Sequence, residues 1–162
     1  MGLQQNFKRA FQLYERAAAQ GHAQAQIEFG FCYECGNGVK SNLKTALMWY
    51  RRAAEQGYPP AQGSLGVMFA NGEGVAQSYE EAMTWFRLAA AQGDANALYN
   101  LGTCYDNGNG VPEDYDEALR FYKRAAANGH VEAAAAVSEV EAELAAAAAD
   151  EVAAALAGAR AP

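Results

Sequence analysis

Cys32 and Cys35 stand at the C-x-x-C spacing that a dithiol redox centre or one half of a zinc site needs. Either chemistry needs more: a second pair, or a histidine close in sequence, and neither accompanies them. Cys32 shares a position in a 36-residue period with Met68 and Cys104, so a buried small hydrophobe is the stronger reading for both cysteines. Cys35 is expected to be exposed and open to modification. His22 and His130 also share one position, filled in between by Tyr58 and Asp94, at the entrance to a helix where capping explains the residue type. Three periods of about 10 Å each separate them, too far for a catalytic pair. A glycine loop that cradles phosphate is unique in its chain, whereas G-x-G-V recurs here at Gly36, Gly72 and Gly108 with the glycine-valine pairs that follow. With no Ser/His/Asp set and no paired carboxylates, the sequence offers no catalytic residue, no metal site and no cofactor site.

What must be positioned is therefore a surface. The chain has 162 residues and a formal net charge of -7, with enough apolar content for one packed body. Residues 1–72 carry seven Lys/Arg against four Asp/Glu, and residues 73–162 carry five against fifteen. No basic stripe exists to neutralise phosphates, so nucleic acid is not an expected partner. No apolar run of about 18 residues is present, and the N-terminus lacks a continuous hydrophobic leader, so the expectation is a soluble, cytoplasmic protein without membrane insertion. Three cysteines cannot all pair within one chain, which suits a reducing compartment.

The period itself is unbroken. Gly21, Gly57, Gly93 and Gly129 fall 36 residues apart, and so do Gly30, Gly66 and Gly102. Thirteen of the sixteen glycines occupy such positions, which makes them punctuation. Each period predicts two helices. The first, such as Ala95 to about Asn107, sets Leu98, Leu101 and Tyr105 at helical spacing behind Asp94. The second begins at Asn42, Ser78 or Asp114 as N-cap, with Glu81 and Glu117 placed to complete a capping box, and ends on a glycine suited to a left-handed cap. Each good cap contributes about 1 kcal/mol. Gly30, Gly66 and Gly102 lie inside a helix at a cost of roughly 1 kcal/mol each, which close helix approach would offset. The alanine pairs opposite and Trp49, Trp85 and Phe121 are the expected fillers.

The pattern A-x-x-x-L-G-x-x-Y-x-x-G-x-G-V-x-x-[DSN]-x-x-x-A-x-x-[WF]-[YF]-x-x-A-A-x-x-G, best seen in ALYNLGTCYDNGNGVPEDYDEALRFYKRAAANG over 97–129, resembles the Sel-one-like repeat (SLR) family of the tetratricopeptide-like superfamily. The resemblance covers about residues 4–144. It implies an all-α, right-handed α–α superhelix of 36-residue helix-turn-helix units, acting as an adaptor scaffold in protein complexes. A cysteine-rich branch of that family, with members linked to penicillin binding, staples its repeat junctions with disulfides; here the junction positions hold Ala54 and Ala61. The divisions expected are a half-repeat over 4–21, repeats over 22–57, 58–93 and 94–129, a capping helix over 130–144 and an Ala-rich helix or tail over 145–162. Because residues 4–21 align with a second helix that lacks its first, the chain reads as a piece of a longer protein. In the fourth first helix Ser138 replaces the helix glycine and Glu141 the core tyrosine, as a solvent-facing cap requires. The Ala145–Ala157 stretch is expected to continue as a second helix, and the GARAP end to fray.

In stacks of this kind the first helices line a concave face, and with the glycine and tyrosine positions buried, the remaining positions turn into the groove. These are Gln24, Ile27, Glu28, Phe31 and Glu34 from repeat one; Ser64, Val67 and Asn71 from repeat two; and Asn96, Tyr99, Asn100, Thr103, Asp106 and Asn107 from repeat three. Asn96, Asn100 and Asn107 share a face where amides bridge to an extended peptide backbone, while Phe31, Val67 and Tyr99 supply apolar contact. A helix-orienting role for Asn100 competes with that reading. The expected function is a non-catalytic scaffold for a protein or peptide partner. The alternatives are an enzyme or small-molecule binder like the cysteine-rich branch, and an architectural segment of a larger adaptor. Self-association through Phe7, Phe11 and Tyr14 belongs with the last.

Overall fold

Short polar side chains start the second helix of every complete repeat. Asn42 Oδ1 accepts from Thr45 N (3.1 Å), Ser78 Oγ from Glu81 N (3.2 Å) and Asp114 Oδ1 from Glu117 N (3.0 Å). The computed structural model describes residues 2–158, with side chains over 5–157. Among them are eight helices and no strand: α1 (Gly2–Ala19), α2 (Ala23–Cys35), α3 (Leu43–Glu55), α4 (Pro59–Asn71), α5 (Tyr79–Ala91), α6 (Ala95–Asp106), α7 (Tyr115–Ala127) and α8 (Ala133–Gly158). The all-α solenoid of helix pairs is thus present, each helix packing on the next in sequence.

Three local expectations change. The capping boxes do not close reciprocally, because the N-cap N–H groups of Asn42, Ser78 and Asp114 instead donate to the carbonyls of Tyr33, Phe69 and Tyr105 at 2.8–2.9 Å, tying each loop back to its first helix. At the first-helix entrances only Asp94 caps, accepting from Ala97 N at 2.8 Å; His22 and Tyr58 hold the N-cap position without a side-chain bond. The ring over each helix glycine is Tyr50, Phe86 or Tyr122, not Trp49, Trp85 or Phe121. A Cβ on Gly30, Gly66 or Gly102 would stand 2.7, 2.5 or 2.6 Å from that ring, so the glycine exists to admit it. Trp49 instead packs edge-on against Phe29, and Phe121 stacks on Tyr105.

Two devices fix the stacking of one repeat on another. The second glycine of each G-x-G-V loop, at φ near +75°, lies on the preceding repeat's second helix: a Cβ would meet Phe7 O at 2.7 Å from Gly38, Leu43 O at 2.6 Å from Gly74 and Tyr79 Cβ at 2.7 Å from Gly110. Buried Gln26 and Gln62 reach back to the carbonyls of Ala18 (3.2 Å) and Ala54 (3.3 Å), and accept from Gln56 (2.7 Å) and Gln92 (2.9 Å). Each adds a second donor to a helix-end carbonyl that already accepts a backbone N–H, from Gly21 at Ala18 and from Gly57 at Ala54, and so ties one helix to the next.

The ends differ from the middle. Phe11 of α1 packs against Phe29 and Tyr33 (centroids 4.9 and 5.6 Å), Tyr14 is half-buried, and Phe7 and Leu13 face out. At the other end α8 runs without a break through Leu144, so no turn divides a capping helix from a second helix; Ser138 and Glu141 on it are exposed as a cap requires. The expected fraying of the tail concerns Ala159 onward, outside the described residues.

Candidate functional site

The first helices α2, α4 and α6 offer two adjoining hollows. The larger, of about 500 Å³, is lined by Ser64 and Val67 of α4 and by Asn96, Tyr99 and Asn100 of α6, together with Glu34. The smaller, of about 270 Å³, is lined by Ile27, Glu28 and Phe31 of α2, with Tyr50 and Ser64 shared between the two. Phe31 and Val67 are the apolar groups most open to solvent here, at 47% and 37% exposure. Nine of the fourteen anticipated positions are thus brought together.

Four of the others are spent within the fold. Asn71 donates to Glu73 Oε1 at 3.0 Å, Thr103 to the Tyr99 carbonyl at 3.2 Å and Asn107 to the Thr103 carbonyl at 2.9 Å, and Asp106 accepts the Tyr122 hydroxyl at 3.0 Å. None of them lines either hollow. Gln24 lies instead beside α1, in a hollow with Leu13 and His22.

Glu34 repeats the Asp106 arrangement one period-pair earlier, accepting the Tyr50 hydroxyl at 2.5 Å. Repeat two has Ala70 and Phe86 at these positions: where the hydroxyl is missing, so is the acid. Burial first, and the carboxylate beside it, push the Tyr50 hydroxyl far above its ordinary range, and burial does the same to Tyr122, so both stay neutral donors. The three thiols are free, Cys32 and Cys104 buried and Cys35 exposed. Burial pushes Cys104 up to about 11, and burial followed by neighbouring acids raises Cys32 and Cys35, which disfavours the thiolate in all three. No group of three metal-ligating side chains occurs among the described residues.

Sequence reading missed half of the larger hollow. Its wall also includes Pro60, Gly63, Glu73, Asp94, His130 and Glu132. Gly63 is one of the three glycines outside the period and takes the position held by Ile27 and Tyr99; a Cβ there would find only Asp94 Oδ1, at 3.9 Å, so it opens the space. His130 does not cap a helix. Its ring stacks on Tyr99 at 4.1 Å with 7° between planes, and its Nδ1 is buried with no hydrogen-bond partner among the described residues.

Comparison with known proteins agrees with this architecture. The family model described as Sel1 repeat matches residues 1–22, 23–58, 59–94 and 95–130, a frame one residue on from the glycine-bounded one. A Sel1 repeat protein from Oxalobacter formigenes is 39% identical with a TM-score of 0.80, the alignment covering 85% of this chain and 55% of that one. A protective antigen of uropathogenic Escherichia coli with an SLR fold is 43% identical with a TM-score of 0.71, covering 74% of this chain and 26% of that one. This chain therefore spans about half and about a quarter of those two. The cysteine rich protein B of Helicobacter pylori, at 20% identity and a TM-score of 0.64, shares the fold. No curated protein matches the chain. With four consecutive matches over most of its length, this chain belongs to the Sel1 repeat family.

Proposed function

We propose that the protein is a non-catalytic interaction scaffold whose α2, α4 and α6 hold an extended segment of a protein partner. Sel1 repeat proteins are in general scaffolds for protein interaction. The observation that carries the finer reading is the continuous trough made by the two adjoining hollows. Apolar Phe31 and Val67 stand exposed along it beside the amides of Asn96 and Asn100, the mixture an extended peptide backbone with alternating side chains requires. A binder like the cysteine-rich branch would carry junction disulfides; Ala54 and Ala61 fill those positions inside the core, and free thiols suit a reducing, cytoplasmic setting.

The test is co-purification from the source cell with two doubly substituted forms. Phe31→Glu/Val67→Glu alters the trough, and Met48→Glu/Leu88→Glu alters comparably exposed positions on the second helices. Partners are expected to be lost from the first and kept by the second. Identical partner sets from both would discard the trough as the binding face.

A further inference from the structure

The charges of this molecule are sorted by helix. α2, α4 and α6 contain no lysine or arginine, and their charged residues are Glu28, Glu34 and Asp106. The second helices carry the cations, three each on α1, α3 and α7 and one on α5. A partner approaching the trough therefore meets only negative side chains, and one approaching the opposite face meets both signs.

The larger hollow concentrates this. Glu34, Glu73, Asp94 and Glu132 stand on its wall with no lysine or arginine among its lining residues. Three of these carboxylates accept hydrogen bonds from neutral donors, the Tyr50 hydroxyl, the Asn71 amide and the Ala97 N–H, so none of the three is paired there with a side-chain cation. The ion pairs that use Lys or Arg among the described residues, Arg120 with Glu117 and Lys123 with Glu141, involve no residue of the hollow. Independently, the His130 side chain is only 9% exposed on this wall, and its buried Nδ1 has no partner among the described residues. The polar wall is thus rich in acceptors, and its apolar part, Val67, Met68 and Tyr99, suits a methylene stem.

We infer that this hollow takes a lysine or arginine side chain from an extended basic segment of the partner. An ammonium or guanidinium brings donors and no acceptor, which complements this wall, and the aliphatic stem lies against Val67 and Tyr99. The inference rests on the trough being the binding face, and its test separates the two.

A random peptide library displayed on phage is selected against the full chain, and selected peptides are measured by fluorescence anisotropy on three forms. One is wild type. The second, Glu34→Ala/Tyr50→Phe/Glu73→Asn, removes two carboxylates using residues that sister repeats already carry at these positions (Ala70, Phe86, Asn37 and Asn109), and its thermal melt verifies folding. The third, Val67→Trp, fills the trough. Selected peptides are expected to share a lysine or arginine, to bind the neutralised form about tenfold more weakly and to lose binding to Val67→Trp. Peptides that fail on Val67→Trp yet lack a cationic residue, or bind the neutralised form equally, overturn the cation inference and leave the trough standing. Peptides indifferent to Val67→Trp, or no selected peptide at all, overturn both.

Discussion

Gly66 separates two forces that act on the same atom. In a helix interior, alanine is favoured over glycine by roughly 1 kcal/mol, so Gly66→Ala would stabilise α4 if the helix stood alone. Here the added methyl would sit 2.5 Å from a ring carbon of Phe86, which is itself buried and hemmed in by α4 and α5. Overpacking of this kind costs about 1–3 kcal/mol, and more when a ring has no room to tilt, so the packing term outweighs the propensity gain. Gly66→Ala is therefore expected to destabilise the protein by about 1–2 kcal/mol in urea unfolding, with an unchanged slope. Adding Phe86→Leu should recover part of the loss. A stabilised Gly66→Ala would mean that the ring does not occupy the space the glycine leaves. The presence of a ring there was legible in the sequence; its identity was not. Trp49 and Tyr50 are neighbours, as are Trp85 and Phe86, and a helical turn of about 100° between them cannot be assigned to a face by spacing when both are aromatic. His130 was illegible for a related reason: its stacking partner, Tyr99, comes from α6, and sequence places only its own helix end beside it.

Between elements, the buried glutamines join each first helix to the helix before it. Gln62 is 4% exposed and holds two bonds, to the Ala54 carbonyl and from the Gln92 amide. Gln62→Ala removes both bonds and opens a cavity between α3 and α4, while the Ala54 carbonyl keeps Gly57 N and the Gln92 amide keeps the Leu88 carbonyl, so a loss of about 2 kcal/mol is expected from the two lost bonds and the void. Repeat three shows another solution at the same position, Leu98, with Asn128 in place of the second glutamine and turned back to the Arg124 carbonyl at 2.8 Å. Gln62→Leu with Gln92→Asn, which copies that solution, should cost less than Gln62→Ala alone. Chemical denaturation of both forms decides it, and equal losses would show that the ladder contributes nothing beyond volume. The hairpins of α2 to α7 could be read from the sequence because glycine, alanine and aromatic positions recur together and fix the register. The ladder went unread although Gln26 and Gln62 also recur, since a glutamine on an amphipathic helix passes for a surface residue until its neighbour is known. The unbroken α8 had a legible cause: no glycine, proline or asparagine lies between Ala133 and Ala157 to turn the chain, and alanine is the strongest helix former.

At the scale of the molecule, each helix packs against its neighbour in sequence, and among the described residues α1 and α8 do not pack together to close the stack. Stability in such an array is nearly a sum of unit and nearest-neighbour terms. The repeated contacts make those neighbours interchangeable: Gly110 lies on Tyr79 as Gly74 lies on Leu43, and Phe86 covers Gly66 as Tyr122 covers Gly102. Deleting residues 58–93 joins Gly57 to Asp94, both already at a repeat boundary, and brings the Gly110 loop onto Leu43. The shortened chain is expected to fold and to melt as one helical unit. It exposes less surface on unfolding, so its urea slope should fall by about a fifth, in proportion to the lost length. It should also be less stable, since one interface is gone and Leu98 cannot donate to the Ala54 carbonyl as Gln62 does. The deletion removes Gly63, Val67 and Glu73 from the larger hollow, so binding in the trough should vanish while the fold persists. In a body with one indivisible core, removing a central block of this size would instead give a chain with no cooperative transition. That outcome, seen in circular dichroism during urea titration, would refute the account of this molecule as independent units joined by like contacts.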